Sequence, residues 1–132
     1  MKQIELPYCS LKIEGQIIIS IIKEGIHITE AVSKEIINTI KEYIKNKPFV
    51  YISHRLHSYS VDPITYLSIS KINELLGFAV VSNNSLSLQN IEIEKLFLKK
   101  PFESFDLYDD AINWANTLIK TNYSTQKFTK LN

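Results

Sequence analysis

A chain of 132 residues that is 45% hydrophobic and 22% charged has the size of one domain with one core, and it is too apolar for a disordered chain. Fifteen Lys plus Arg against fourteen Asp plus Glu leave a net charge of +1 with no block of like sign, so the broad electropositive field of a nucleic-acid binder is missing. Three Gly and four Pro exclude collagen-like and linker architectures, and the single Cys9 cannot form an internal disulfide.

Residues 3 to 28 read as strands. β-Branched residues dominate, and the breaks fall at Glu14-Gly15 and Glu24-Gly25. A first piece, Gln3 to Leu6, ends at Pro7. Leu11 to Glu14 alternates apolar with polar, as a half-buried strand near an edge does. Gln16 to Ile22 is apolar on both faces and belongs inside a sheet covered on each side. At Thr29 the period changes to 3.6: Thr29 caps a helix with Glu30 in its first turn and Val32, Ile36, Ile37, Ile40, Tyr43 and Ile44 on one side. That helix stops before Pro48, and Phe49 to Ser53 is a short buried strand, so the two strands flanking the helix run parallel.

After the polar stretch His54 to Ser60, Asp62 reads as an N-cap and Pro63 as the first helical residue. The expected helix runs through Tyr66, Ile69, Ile72 and Leu76 and closes at Gly77. Phe78 to Ser82 is the next buried strand. Ser85 to Lys99 reads as a helix, although Leu86-Ser87-Leu88 and Ile91-Glu92-Ile93 alternate like a strand. Phe102 to Phe105 is a last short strand, and Asp106 caps a helix with the stripe Leu107, Ala111, Trp114 and Leu118. The reading is a single domain over residues 1–121 and a loosely ordered tail over 122–132.

A site in an open α/β sheet gathers beyond the carboxyl ends of parallel strands, which points to the stretch after Ser53. It holds His54, His57 and the only Arg of the chain, Arg55. The candidate partner-binding or anion-binding residues are His54, Arg55, His57, Ser58, Tyr59, Ser60, Asp62 and Thr65. The plainer alternative is an ordinary polar connection with solvated histidines. No metal is expected, because His-x-x-His in a loop has no preset geometry and Cys9 is remote. With glycine at 15, 25 and 77 alone there is no nucleophile elbow, phosphate loop or dinucleotide fingerprint, so neither a catalytic motif nor a cofactor is expected. Asp109 and Asp110 read as charges at a helix start and Trp114 as a core anchor.

The order of elements resembles the STAS domain superfamily, the fold of anti-sigma-factor antagonists and of sulphate-transporter cytoplasmic domains, and within it the SpoIIAA-like branch of small standalone proteins. Glu24 to Thr29 leading into the first long helix, Lys47 to Ile52, Phe78 to Val81, and Phe105, Ala111 and Trp114 in the closing segment carry the likeness. It implies an α/β fold with a mixed β-sheet of about five strands and four helices. In that family a serine at the start of the second helix is phosphorylated by a partner kinase. The corresponding residues here are Asp62-Pro63-Ile64-Thr65, with Pro63 at the acceptor position and Ser58 and Ser60 upstream as substitutes.

Two functions follow as expectations. One is a non-enzymatic regulatory or protein-interaction module whose unknown protein partner docks on residues 54–66. The other is a carrier of a small apolar molecule or lipid, which requires an apolar cavity of a few hundred cubic ångströms between the helices at 61–76 and 85–99. A homodimer stays open as well. The start Met1-Lys2-Gln3-Ile4-Glu5 lacks an apolar segment, and the apolar run Ile17 to Ile22 falls short of the ~20 residues that span a bilayer, so a cytoplasmic protein with no membrane span is expected.

Overall fold

The computed structural model describes the backbone of residues 1–83 and 85–131, and the side chains of these residues except 85–90 and 126–131. In chain order the elements are β1 (Lys2–Glu5), β2 (Cys9–Glu14), β3 (Ile17–Ile22), β4 (His27–Ile28), α1 (Glu30–Ile44), β5 (Phe49–His54), β6 (Ser60–Val61), α2 (Ile64–Ile69), β7 (Leu75–Val81), α3 (Ser85–Phe97), β8 (Phe102–Phe105) and α4 (Tyr108–Leu131). Six strands among the described residues form one mixed sheet in the order β1-β2-β3-β5-β7-β8, antiparallel up to β3 and parallel beyond it. The short strands β4 and β6 pair separately, in parallel.

The apolar run in β3 has the place its composition demands. Ile18 and Ile19 are buried on opposite faces of the sheet, in separate apolar clusters. One face is covered by α1, whose Ile36, Ile40 and Ile44 pack with Leu11, Ile18 and Phe49, and by α2 and α3, whose Tyr66 and Ile91 pack with Phe78, Val80 and Leu98, the residue after α3. The other face is covered by α4 through Ala111, Ala115, Leu118 and Ile119. Thr29 caps α1 by accepting a hydrogen bond from Val32 N at 3.3 Å. Tyr43, expected on the buried stripe, is exposed at the end of this helix.

Three local expectations are corrected. The second helix ends at Ile69, and Gly77 lies inside β7 opposite Val50. Strand pairing explains the change: Leu75 pairs with Phe49, and Phe49 N donates to Glu74 O, so the chain is in the sheet before it reaches Gly77. Pro63 and not Asp62 is the N-cap of α2, so Asp62 stands one residue further out and its carboxylate accepts from Ile64 N from there. On α4, Leu107 is exposed and Tyr108 is packed, because the inward face follows Tyr108, Ala111, Ala115 and Ile119 at intervals of three and four. The last helix, α4, spans Tyr108 to Leu131, as a helix nucleated by its packed half extends at little cost through polar residues.

Candidate functional site

The polar stretch after β5 is fastened to the segment before α1. Gly25 N donates to Ser58 O at 2.8 Å, Ser60 N to Ile26 O at 3.0 Å and Asp62 N to Ile28 O at 3.0 Å. Glu24 accepts from Ser58 N at 2.8 Å, and His27 Nδ1 and Ser60 Oγ share a hydrogen bond of 2.7 Å. Gly25 has φ +78°, a conformation that a side chain disfavours, so glycine permits the turn that brings the two segments together. The loop therefore presents a defined surface.

That surface separates the eight sequence-predicted residues. His57, Ser58 and Ser60 are exposed, and Asp62 is half-buried. Leu56, Ile64 and Leu67 are exposed apolar residues in the same region of the chain. His54 lies elsewhere: its ring packs on Tyr108 at a centroid distance of 5.3 Å, on the α4 side of the sheet. Together these two line a trough of about 440 Å³ with Gln3, Glu5, Ser10 and Lys12. Among the described residues no three His, Cys, Asp or Glu side chains gather in a way that could hold a metal ion.

Arg55, Tyr59 and Thr65 point inward. Arg55 Nη2 donates to both carboxylate oxygens of Glu94 on α3, at 2.7 and 2.6 Å, and the two side chains are only 6% and 8% exposed. The guanidinium also lies over the Tyr59 ring, 5.4 Å from its centroid. Tyr59 shares a hydrogen bond of 2.8 Å with Ser53 Oγ, and Tyr51 donates to Ser20 Oγ. Burial opposes the Arg55 charge, yet Tyr59 and Glu94 more than offset it and hold its pKa above the usual value. Burial likewise pushes Tyr51, Tyr59 and Tyr66 above the ordinary phenol range, so all three are neutral at pH 7.

Glu94, Tyr66, Ser53 and His27 were not among the sequence candidates. Glu94 had a signal: it stands between Ile91 and Leu98 on the apolar side of its helix, where a carboxylate needs a cation, and the chain has one Arg. Cys9 is buried, and burial raises its thiol to about 11, which makes it unreactive at neutral pH.

Between α1, α2 and the sheet lies a half-open pocket of about 60 Å³. Its walls include Ile36, Ile40, Ile69 and Phe49, with Ser33, Ser53, Thr65, Tyr51, Tyr59 and Tyr66 as members that carry polar groups. Thr65 is fully buried, and its hydroxyl has no hydrogen-bond partner among the described residues.

Two consequences can be measured. Asp62 Oδ1 accepts from Ile64 N at 3.2 Å ahead of the short α2, so Asp62→Ala should cost about 0.5 kcal/mol, the lower end of the capping range. An unchanged denaturation midpoint would remove that role. Burial lowers the His54 pKa below that of the unfolded chain, so the unfolded state takes up the proton first as pH falls. The His54 contribution to stability is thus present above about pH 6.5 and declines below it. The fall in melting temperature between pH 7 and pH 5 should be smaller in His54→Gln than in wild type, and equal slopes would contradict it.

No protein-family model matches the chain, and no curated protein matches it in sequence. Among solved structures it is similar to an uncharacterised protein of the DUF3478 family from Shewanella loihica PV-4, described as having a SpoIIAA-like fold. The two share 12% identity at a TM-score of 0.53, over 81% of this chain and 91% of the other. No helix among the described residues is long and apolar enough to cross a membrane. With its mixed sheet, its α1 crossover between parallel β3 and β5 and its flanking helices, the chain adopts a SpoIIAA-like fold.

Proposed function

We propose that the protein is a non-enzymatic regulatory module that docks a protein partner through the surface between Leu56 and Leu67. The observation carrying this reading is the exposure of three large apolar side chains, Leu56 at 58%, Ile64 at 56% and Leu67 at 40%, on a stretch tied to residues 24–28 by hydrogen bonds. A surface ordered in advance loses less conformational entropy when a partner binds. His57, Ser58, Ser60 and Asp62 supply polar groups in the same stretch. Arg55, Tyr59 and Thr65 belong to the support beneath it.

Docking on this reading is constitutive. A phosphate on Ser58 or Ser60 would need a cation, and Arg55 is engaged with Glu94, while Glu24 places negative charge at Ser58 N. The carrier alternative has less support, because a pocket of about 60 Å³ is far smaller than an acyl chain requires and no described side chain of α3 lines it.

The test places a photo-crosslinking amino acid at Ile64 in the native cell. A discrete protein adduct is expected, lost when Leu56→Lys and Leu67→Lys are introduced together and retained in Leu107→Lys, an exposed apolar position elsewhere. No adduct, or equal loss in the control, would overturn the reading.

A further inference from the structure

The pocket beneath α2 combines three properties. The first is polarity that changes along its length. Ser53 and Phe49 both line it and are four residues apart on β5, about 13 Å along a strand. Ser53 is joined to Tyr59 by its hydrogen bond, whereas the neighbours of Phe49 in the wall, Leu75 and Ile72, are apolar. The second is a hydroxyl with no protein partner: Thr65 lines the pocket, is fully buried, and leaves its Oγ1 unpaired among the described residues. A buried hydroxyl in that condition destabilises the fold unless something else meets it. The third is the lack of a usable charge. Arg55 and Glu94 neutralise each other, and the pocket's tyrosines are neutral at pH 7.

We propose that this pocket binds one small neutral molecule with a hydroxyl or carbonyl group at one end and an apolar body of a few carbons. Its polar end meets Thr65 and the Ser53–Tyr59 pair, and its apolar end lies against Ile36, Ile40 and Ile69. One water molecule needs about 10–15 Å³ of such cavity space, so about 60 Å³ sets the size at roughly four to six heavy atoms. A carboxylate or ammonium ligand is rejected, because its charge would be desolvated with no counter-ion to meet it. The inference does not rest on the partner reading, which concerns the outer face of α2.

Methyl-resolved NMR titration of the full chain with 1-propanol, propionamide, propionate and 1-octanol tests it. The neutral short probes should give saturable shifts centred on Thr65, Ile36 and Ile69, with propionate roughly tenfold weaker or not binding. Thr65→Val, which keeps the shape and removes the hydroxyl, should weaken 1-propanol by roughly fivefold, the net worth of one hydrogen bond, and Thr65→Ser should restore it. Thr65→Val should also melt no lower than wild type, which separates lost binding from lost folding. Non-saturating shifts, a nuclear Overhauser contact from Thr65 to bound water only, or equal binding by Thr65→Val would overturn the proposal. Preference for 1-octanol over 1-propanol would do so too, by returning the pocket to a carrier of long chains.

Discussion

Glu94→Ala is expected to lower stability by about 3–5 kcal/mol, because it leaves the Arg55 guanidinium buried without its carboxylate. Nε of Arg55 already has no partner among the described residues, so two further donor contacts to Glu94 would be lost from a side chain that water scarcely reaches. In a domain of this size the loss corresponds to a fall in melting temperature of roughly 10–20 °C. The pair is not itself a large net source of stability, since its desolvation opposes its attraction. Replacing both members by apolar residues, Arg55→Met with Glu94→Leu, should therefore recover most of the loss. What the pair specifies is position: it joins the residue after β5 to the inward face of α3. Thermal unfolding of the two single variants and the double variant decides the matter. Single variants within 2 °C (roughly 0.5 kcal/mol) of wild type would show that the charges are not buried together in solution. The same reasoning makes Arg55→Ala and Tyr59→Ala unsuitable as probes of a docking surface, because any loss of partner binding would follow from damage beneath it.

Gly77→Val should destabilise by about 3 kcal/mol, and Gly77→Ala by about 1–2 kcal/mol. A Cβ at Gly77 would stand 2.5 Å from Leu118 Cδ1, 2.9 Å from Trp114 Cη2 and 3.3 Å from the Pro101 carbonyl oxygen. Two of these atoms end side chains on α4 and can move, whereas the third is backbone of the segment leading into β8. Removing glycine from a strand interior ordinarily helps by about 0.5–1 kcal/mol, which is too little to offset overpacking against a helix already seated on the sheet. Leu118→Ala in the Gly77→Val background should restore part of the stability, and the coupling in a double-mutant cycle should be favourable. Additive effects of the two substitutions would mean that α4 does not lie where the close contact requires.

The central strands and the first helix were legible because their signals are local. Ile17 to Ile22, Phe49 to Ser53 and Phe78 to Val81 are apolar on successive residues, and such runs are stable only with cover on both faces. Thr29 and the helical spacing that follows it mark the start of α1 without reference to the rest of the molecule. Periodicity reports that a face is buried, not what buries it. The apolar spacing of Tyr66, Ile69, Ile72 and Leu76 before a glycine is therefore compatible with a long helix closed at Gly77, and only the ladder between β5 and β7 chose the strand. Gly77 serves as a point of close approach for α4, a residue requirement invisible until that helix is in place.

The candidate site divides in the same way. Sequence located the segment after β5 as the polar end of a parallel strand and named Arg55, Tyr59 and Thr65 within it. It could not say that these three turn inward while Leu56, Ile64 and Leu67 face solvent, because a loop has no period from which to read direction. Tertiary structure decided that direction through two sets of contacts from distant parts of the chain. Hydrogen bonds from residues 24–28 hold the loop from one side, and the Glu94 carboxylate draws Arg55 under it from the other. Burial of a charge depends on a partner that comes near only when the chain has folded, so the assignment of inside and outside at this site belongs to the fold as a whole.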